Sequence, residues 1–266
     1  MTVLVTGARG SIARNVIAQL ILAGTPVRAA SRNPVAVELP GGALPALVDF
    51  TAPETLAPAL EGIEKVFLYA AHEGIEHFTA AAVASGVKHV VLLSSAAAQG
   101  TDDNPIAKMH RDVERPLEAS GLPFTFVRPA MFATNALWWA ESIRSEHLVR
   151  LPYPESPVNP IHERDIAEVA VTALLGSGHE GKKYLVDGPG HLTQREQVAL
   201  IGKALGREIA VEELPRAAAE RVMPSPLLDM LAEAKAEAPG PTAEAVTGRP
   251  ARTFAQWAVD HAADFR

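Results

Sequence analysis

The residues best placed to do chemistry open the chain, in the run Val3-Leu4-Val5-Thr6-Gly7-Ala8-Arg9-Gly10-Ser11-Ile12-Ala13. A β-branched strand passes through two glycines into a helical pattern. Gly7 permits a tight turn, and Gly10 lets backbone amides approach a pyrophosphate at the helix N-terminus. Gly7, Arg9, Gly10, Ser11 and Ile12 are therefore the expected phosphate-holding residues. The spacing is Gly-x-x-Gly-x-x-Ala rather than Gly-x-Gly-x-x-Gly, with Ala13 in the helix-packing place. Which dinucleotide binds is a matter of charge. An NAD site carries an acid at the end of the second strand, to accept the ribose 2′-hydroxyl. Here that strand ends in Ser31-Arg32, without a carboxylate, and Arg9 lies in the turn. Two guanidiniums suit a 2′-phosphate, so the expected cofactor is NADPH.

Such a turn needs a scaffold, and the chain alternates strand and helix patterns to supply one. Residues 2–6, 26–31, 44–50, 65–71, 88–95 and 123–129 read as strands, with helical runs at 11–23, 53–62 and 76–86 and another before the sixth strand. The pattern predicts an α/β fold: a Rossmann-type, doubly wound parallel sheet with a smaller C-terminal substrate-binding lobe. Residues 1–128 are expected to form the NADP-binding core. Residues 129–266 are expected to complete that core and to form the lobe and a lid. Residues 163–175 read as a helix and 182–188 as a strand. Thr193 and Glu196 have capping-box spacing before a further helix. The segment after Arg128 is rich in aromatic residues and proline. Met131, Asn135, Trp138 and Tyr153 are its candidate substrate-binding residues, since flat apolar walls with few polar anchors suit a planar aromatic molecule.

Bulk properties exclude several alternatives. The chain has 266 residues, 48% hydrophobic, with a formal net charge of −7 and scattered basic residues. That balance argues against nucleic-acid binding. There is no cysteine, hence no disulfide, thiolate nucleophile or Cys-ligated metal. No apolar run is long enough to span a membrane, and a cytoplasmic location is expected. His72-Glu73-Gly74-Ile75-Glu76-His77 looks like a zinc-protease helix, but its histidines are five apart rather than four, and no metal is expected.

Five stretches together resemble the NmrA-like, atypical branch of the short-chain dehydrogenases/reductases: residues 5–14, Asp49-Phe50, residues 86–95, residues 110–129 and residues 164–170. The resemblance covers most of the chain. Its branch includes NADPH-dependent quinone reductases, triphenylmethane reductases, ketoreductases of aromatic polyketides and non-catalytic NADP-sensing regulators. It implies that Asp49 and Phe50 flank the adenine and that Tyr69, Ala70 and Ala71 line the nicotinamide side. It further implies that the backbone of Pro129, Ala130 and Phe132 contacts the carboxamide. The wider family works with Ser, Tyr and Lys. Ser95 matches the serine, His110 stands at the lysine position, and Ile106 occupies the tyrosine position.

The usual proton donor is thus absent, which narrows the acceptor without abolishing reduction. Quinones, and ketones beside a phenol, stabilise the charge that hydride transfer creates. Asn104-Pro105 is a natural helix start. At about 100° per residue, Ile106, Met109, Val113 and Leu117 share a face with His110, and Lys108 points roughly opposite. Pro116 should kink or end this helix. Ser95, His110 and Lys108 are the candidate catalytic residues. The expected partner is a small aromatic ketone or quinone, with an NADP-sensing regulator as the second reading.

Overall fold

The computed structural model describes residues 1–34, 39, 41–69, 72–235 and 240–266. The chain forms two compact units. The first comprises Met1–Pro129 and Glu163–Leu185; the second comprises Ala130–His162 and Val186–Arg266.

In the first unit the order is β1 (Val3–Val5), α1 (Ser11–Leu22), β2 (Val27–Ser31), β3 (Leu44–Leu47), α2 (Leu56–Leu60), β4 (Lys65–Tyr69), α3 (Ile75–Ala84), β5 (His89–Leu93), α4 (Pro105–Ala119) and β6 (Phe124–Pro129). The second unit then contributes α5 (Ala140–Glu146), β7 (Leu148–Leu151) and β8 (Pro157–Val158) before the chain returns as α6 (Glu163–Leu175) and β9 (Lys182–Val186). The sheet order is β3-β2-β1-β4-β5-β6-β9, and every pairing from β3 across to β6 is parallel. Strand order reverses at β1, the switch point where open α/β sheets form a ligand crevice beyond their strand ends.

Central strands here are buried on both faces, so β1 and β5 read as unbroken apolar runs rather than alternating ones. β5 begins at His89, which is buried. Its Nε2 lies 2.9 Å from Thr125 Oγ1 on β6, and that hydroxyl donates to the His179 carbonyl at 2.6 Å. Since the Thr125 hydrogen is already committed, His89 Nε2 must be the donor and Nδ1 the bare nitrogen. Nδ1 has no partner among the described residues.

α4 departs from expectation in two ways. It continues through Pro116 to Ala119. An interior proline costs about 3 kcal/mol. Val113 and Leu117 on either side of it are fully buried, and each contributes about 1.5–3 kcal/mol, enough to hold the helix together. The buried face also differs: it consists of Ala107, Val113, Glu114 and Leu117, while Met109 is 42% exposed.

The remaining elements belong to the second unit: β10 (Leu192–Thr193), α7 (Gln194–Leu205), β11 (Ala210–Glu213) and four shorter helices, α8 (Arg216–Ala219), α9 (Ser225–Glu233), α10 (Glu244–Thr247) and α11 (Phe254–Asp260). β7 pairs with β11 in parallel, and β8 pairs with β10 antiparallel. The core of this unit gathers Ile143, Val149, Val198, Ile201, Phe254, Trp257 and Phe265. α7 starts with the Thr193–Glu196 capping box and ends at Gly206, in the left-handed conformation. Among the described residues, no helix is long and apolar enough to cross a membrane.

Candidate functional site

Thr6 fastens the end of β1 to β4. Its amide donates to the Phe67 carbonyl at 3.0 Å, and its Oγ1 accepts from the Tyr69 amide at 2.8 Å. Gly7 then turns with φ +66°, and a Cβ there would lie 2.8 Å from the Tyr69 Cβ. The Ala8 amide is spent on the Ala30 carbonyl of β2, at 3.1 Å. Gly10 caps α1 without any side-chain hydrogen bond. The first-turn amides of this 12-residue helix therefore lack a side-chain acceptor at its positive end, the arrangement that binds a phosphate. Ser11 is exposed. Ile12 is buried, so only its backbone is on offer.

Beyond the strand ends lies a cleft of about 550 Å³ that brings together Gly7, Arg9, Ser31, Arg32, Asp49, Phe50 and Tyr69. Arg9 and Arg32 are exposed, and neither has an ion pair or hydrogen bond among the described residues. Ser31 is 9% exposed, and its Oγ is buried without a partner among the described residues. Two free guanidiniums beside an orphaned hydroxyl form a set of donors awaiting an anion. Asp49 is held by the Thr51 hydroxyl at 2.7 Å and the Thr51 amide at 2.9 Å. These bonds keep its carboxyl below the usual carboxylate range, with Arg32 adding to the effect. The Phe50 ring meets Phe78 edge-on, with centroids 5.4 Å apart. Gly74 fixes this corner from behind, since a Cβ there would lie 2.0 Å from the Phe50 carbonyl oxygen. These residues fit a dinucleotide: amides for the pyrophosphate, Arg9, Arg32 and Ser31 for a further phosphate, and Phe50 for a base. Neither Gly74 nor the wall residues His72 and Glu73 were expected in this role. His77, the other histidine of that run, instead has Nδ1 3.4 Å from the Phe50 carbonyl. Ala70 and Ala71 lie outside the described residues.

Ser95 follows β5 and caps a short 3-10 turn, its Oγ accepting from the Ala97 amide at 3.2 Å. Its hydroxyl hydrogen remains free to donate. Ile106 and His110 stand one turn apart on α4. His110 Nδ1 is buried without a partner among the described residues. Burial pushes the imidazole pKa down, the nearby His72 adds to this, and Glu114 opposes it. Lys108 is on the exposed side of α4, paired with Asp112 at 2.5 Å.

The unexpected member is Glu114, 2% exposed. It accepts from Ser94 Oγ at 2.6 Å and from Arg128 Nε and Nη2 at 2.8 and 2.5 Å. This charge-assisted fork binds α4 to the ends of β5 and β6, next to Ser95. An acid on an amphipathic helix reads as a solvated residue. Only the parallel placement of β6 brings Arg128 to it.

Pro129 ends β6, and Ala130 begins the second unit. Within that unit Met131, Phe132, Asn135, Trp138 and Trp139 line a narrow cleft of about 50 Å³, closed by Leu227 and Leu231. Asn135 Nδ2 donates to Met131 Sδ at 3.0 Å. Trp138 is 66% exposed, so its rotation can widen the slot at little cost. Tyr153 is not on these walls. It borders a separate surface hollow with Glu155 and Arg195, and has φ +51°. Gln194 and Gln197, absent from the expected set, are part of the cleft.

A family model described as NAD(P)H-binding matches residues 7–176. The chain is similar to (4-alkanoyl-5-oxo-2,5-dihydrofuran-3-yl)methyl phosphate reductase of Streptomyces griseus, at 39% identity over 279 residues and 99% of both chains. It is also similar to the NAD(P)H azoreductase of Xenophilus azovorans, at 36% identity over 282 residues, again 99% of both. Among solved structures, an NADPH-dependent quinone oxidoreductase from Escherichia coli superposes with a TM-score of 0.80 at 25% identity, covering 97% of this chain and 98% of that one.

Proposed function

The chain belongs to the NAD(P)H-binding family, in the NmrA-like branch of the short-chain dehydrogenases/reductases, and on that premise we propose that it is an NADPH-dependent reductase of planar aromatic ketones or quinones. The observation that carries the coenzyme choice is the trio Arg9, Arg32 and Ser31, three donors on one cleft wall without acceptors among the described residues. NADPH, when bound, supplies the hydride.

This chain's residues do the rest. The first-turn amides of α1 hold the pyrophosphate, and Arg9, Arg32 and Ser31 hold the 2′-phosphate. Asp49 and Phe50 flank the adenine. Ser95, with its O–H uncommitted, donates to an acceptor oxygen. Ile106 offers no proton, so His110 Nδ1, buried without a partner among the described residues, holds the proton or water in its place. The Ser94–Glu114–Arg128 network keeps α4 and the end of β5 in register for both. With so weak an acid set, the acceptor has to stabilise its own developing charge, as a quinone or a phenol-flanked polycyclic ketone does. Positioning then provides much of the catalysis.

The test is loss of NADPH absorbance when the purified protein meets a panel of naphthoquinones and polycyclic aromatic ketones. Turnover with at least one is expected. Tight binding of both NADP and NAD with no turnover of any compound would overturn the reductase reading in favour of an NADP-sensing regulator.

A further inference from the structure

The second unit's cleft contains a polar group with no task inside the protein. Gln194 and Gln197 lie three apart on α7 and so share a face. Gln194 is committed: its Nε2 donates to the carbonyls of Pro152 at 2.7 Å and Tyr153 at 3.0 Å. Gln197 is 5% exposed and lines the cleft, yet its amide makes no hydrogen bond among the described residues. Its amide atoms are not sealed off, so water or a ligand in the cleft can reach them. A ligand carbonyl can take the place of that water and accept from the amide.

The rest of the wall defines the ligand. Met131, Phe132, Trp138, Trp139 and Leu227 are apolar, and no described residue lining the cleft carries a charge. An anion entering it would shed its hydration with no cation to replace it. A neutral flat molecule would lose little and would present its carbonyl to the amide. The Streptomyces griseus relative is named for a phosphate ester; among the described residues this cleft has no cation to pair with a phosphate.

We propose that Gln197 is a substrate-binding residue whose side-chain N–H anchors the acceptor's carbonyl, and that this cleft selects neutral flat carbonyl compounds over phosphorylated or sulfonated ones. The inference rests on the reductase reading but can be tested apart from it. Calorimetry on the full chain without NADPH compares a neutral naphthoquinone with its sulfonate. The neutral compound should bind at least about 10-fold more tightly. Gln197→Leu should weaken it about 5- to 30-fold. Gln197→Glu, which keeps the shape but loses the N–H donors, should weaken it comparably. Unchanged thermal midpoints and unchanged NADPH affinity would show that the fold and the first unit are intact. Leu227→Lys should raise affinity for the sulfonate. Equal affinity for the two compounds in the parent protein, or unaltered quinone binding in both Gln197 variants, would overturn the proposal. Selective binding without NADPH turnover would support the anchor while refuting the reductase reading.

Discussion

Acidification should destabilise the sheet that carries the site, and His89 supplies the reason. Its ring is buried between β5 and β6, Nε2–H is donated to Thr125, and Nδ1 faces no acceptor. Adding a proton there would bury a charge and a second unpaired donor together. Burial, with help from Lys65 and His179 and against Glu180, lowers the pKa from 6.5 to about 4. The unfolded chain keeps a histidine near 6.5. Above that value both states are neutral and His89 contributes no pH dependence. Between about 6.5 and about 4 the unfolded state takes up the proton first, so stability falls as the pH falls. A single proton gives a slope of up to about 1.4 kcal/mol per pH unit, and the total over the window is about 3 kcal/mol. Urea unfolding at closely spaced pH values measures this directly. His89→Gln keeps a donor for Thr125 and removes the titration, so its stability should decline less than the parent's by about that amount. If the two curves fall in parallel through the window, the burial argument is wrong.

Three further outcomes follow from the site. Arg32→Ala should weaken NADPH about 5- to 30-fold while leaving NADH nearly unchanged, with Arg32→Lys intermediate because a lysine lacks the planar fork. Equal losses for the two coenzymes in direct binding titrations would refute the 2′-phosphate assignment. Glu114→Ala should cost about 3–5 kcal/mol in urea unfolding, by stranding the Arg128 charge, whereas the Glu114→Met/Arg128→Met double variant should recover most of it. Gly74→Ala would force a Cβ onto the Phe50 carbonyl at φ +78°. It should destabilise the protein by at least about 2 kcal/mol and also weaken NADPH, as read by thermal midpoint and by titration.

What the sequence shows on its own is whatever is encoded within a few residues. Val3 to Ala13 displays its strand, turn and helix because the glycines, the β-branched run and the helical period are all local. The same holds for the Thr193–Glu196 cap and for the Asn104-Pro105 helix start, where Asn104 Oδ1 accepts from the Ile106 and Ala107 amides. That Arg9, Ser31 and Arg32 share one cleft is also legible, because strand ends in a parallel sheet converge on one edge by construction.

The tertiary structure decides which polar groups are buried, and with whom. Glu114 and Gln197 look like ordinary helix-surface residues until Arg128 and Ser94 close over the first and the cleft walls over the second. Gly74 acquires meaning only through the Phe50 carbonyl it faces. The physical reason is common to all of these. Periodicity reports how much apolar surface a segment must hide, whereas a buried polar atom is tolerable only beside a partner, and that partner comes from a distant part of the chain.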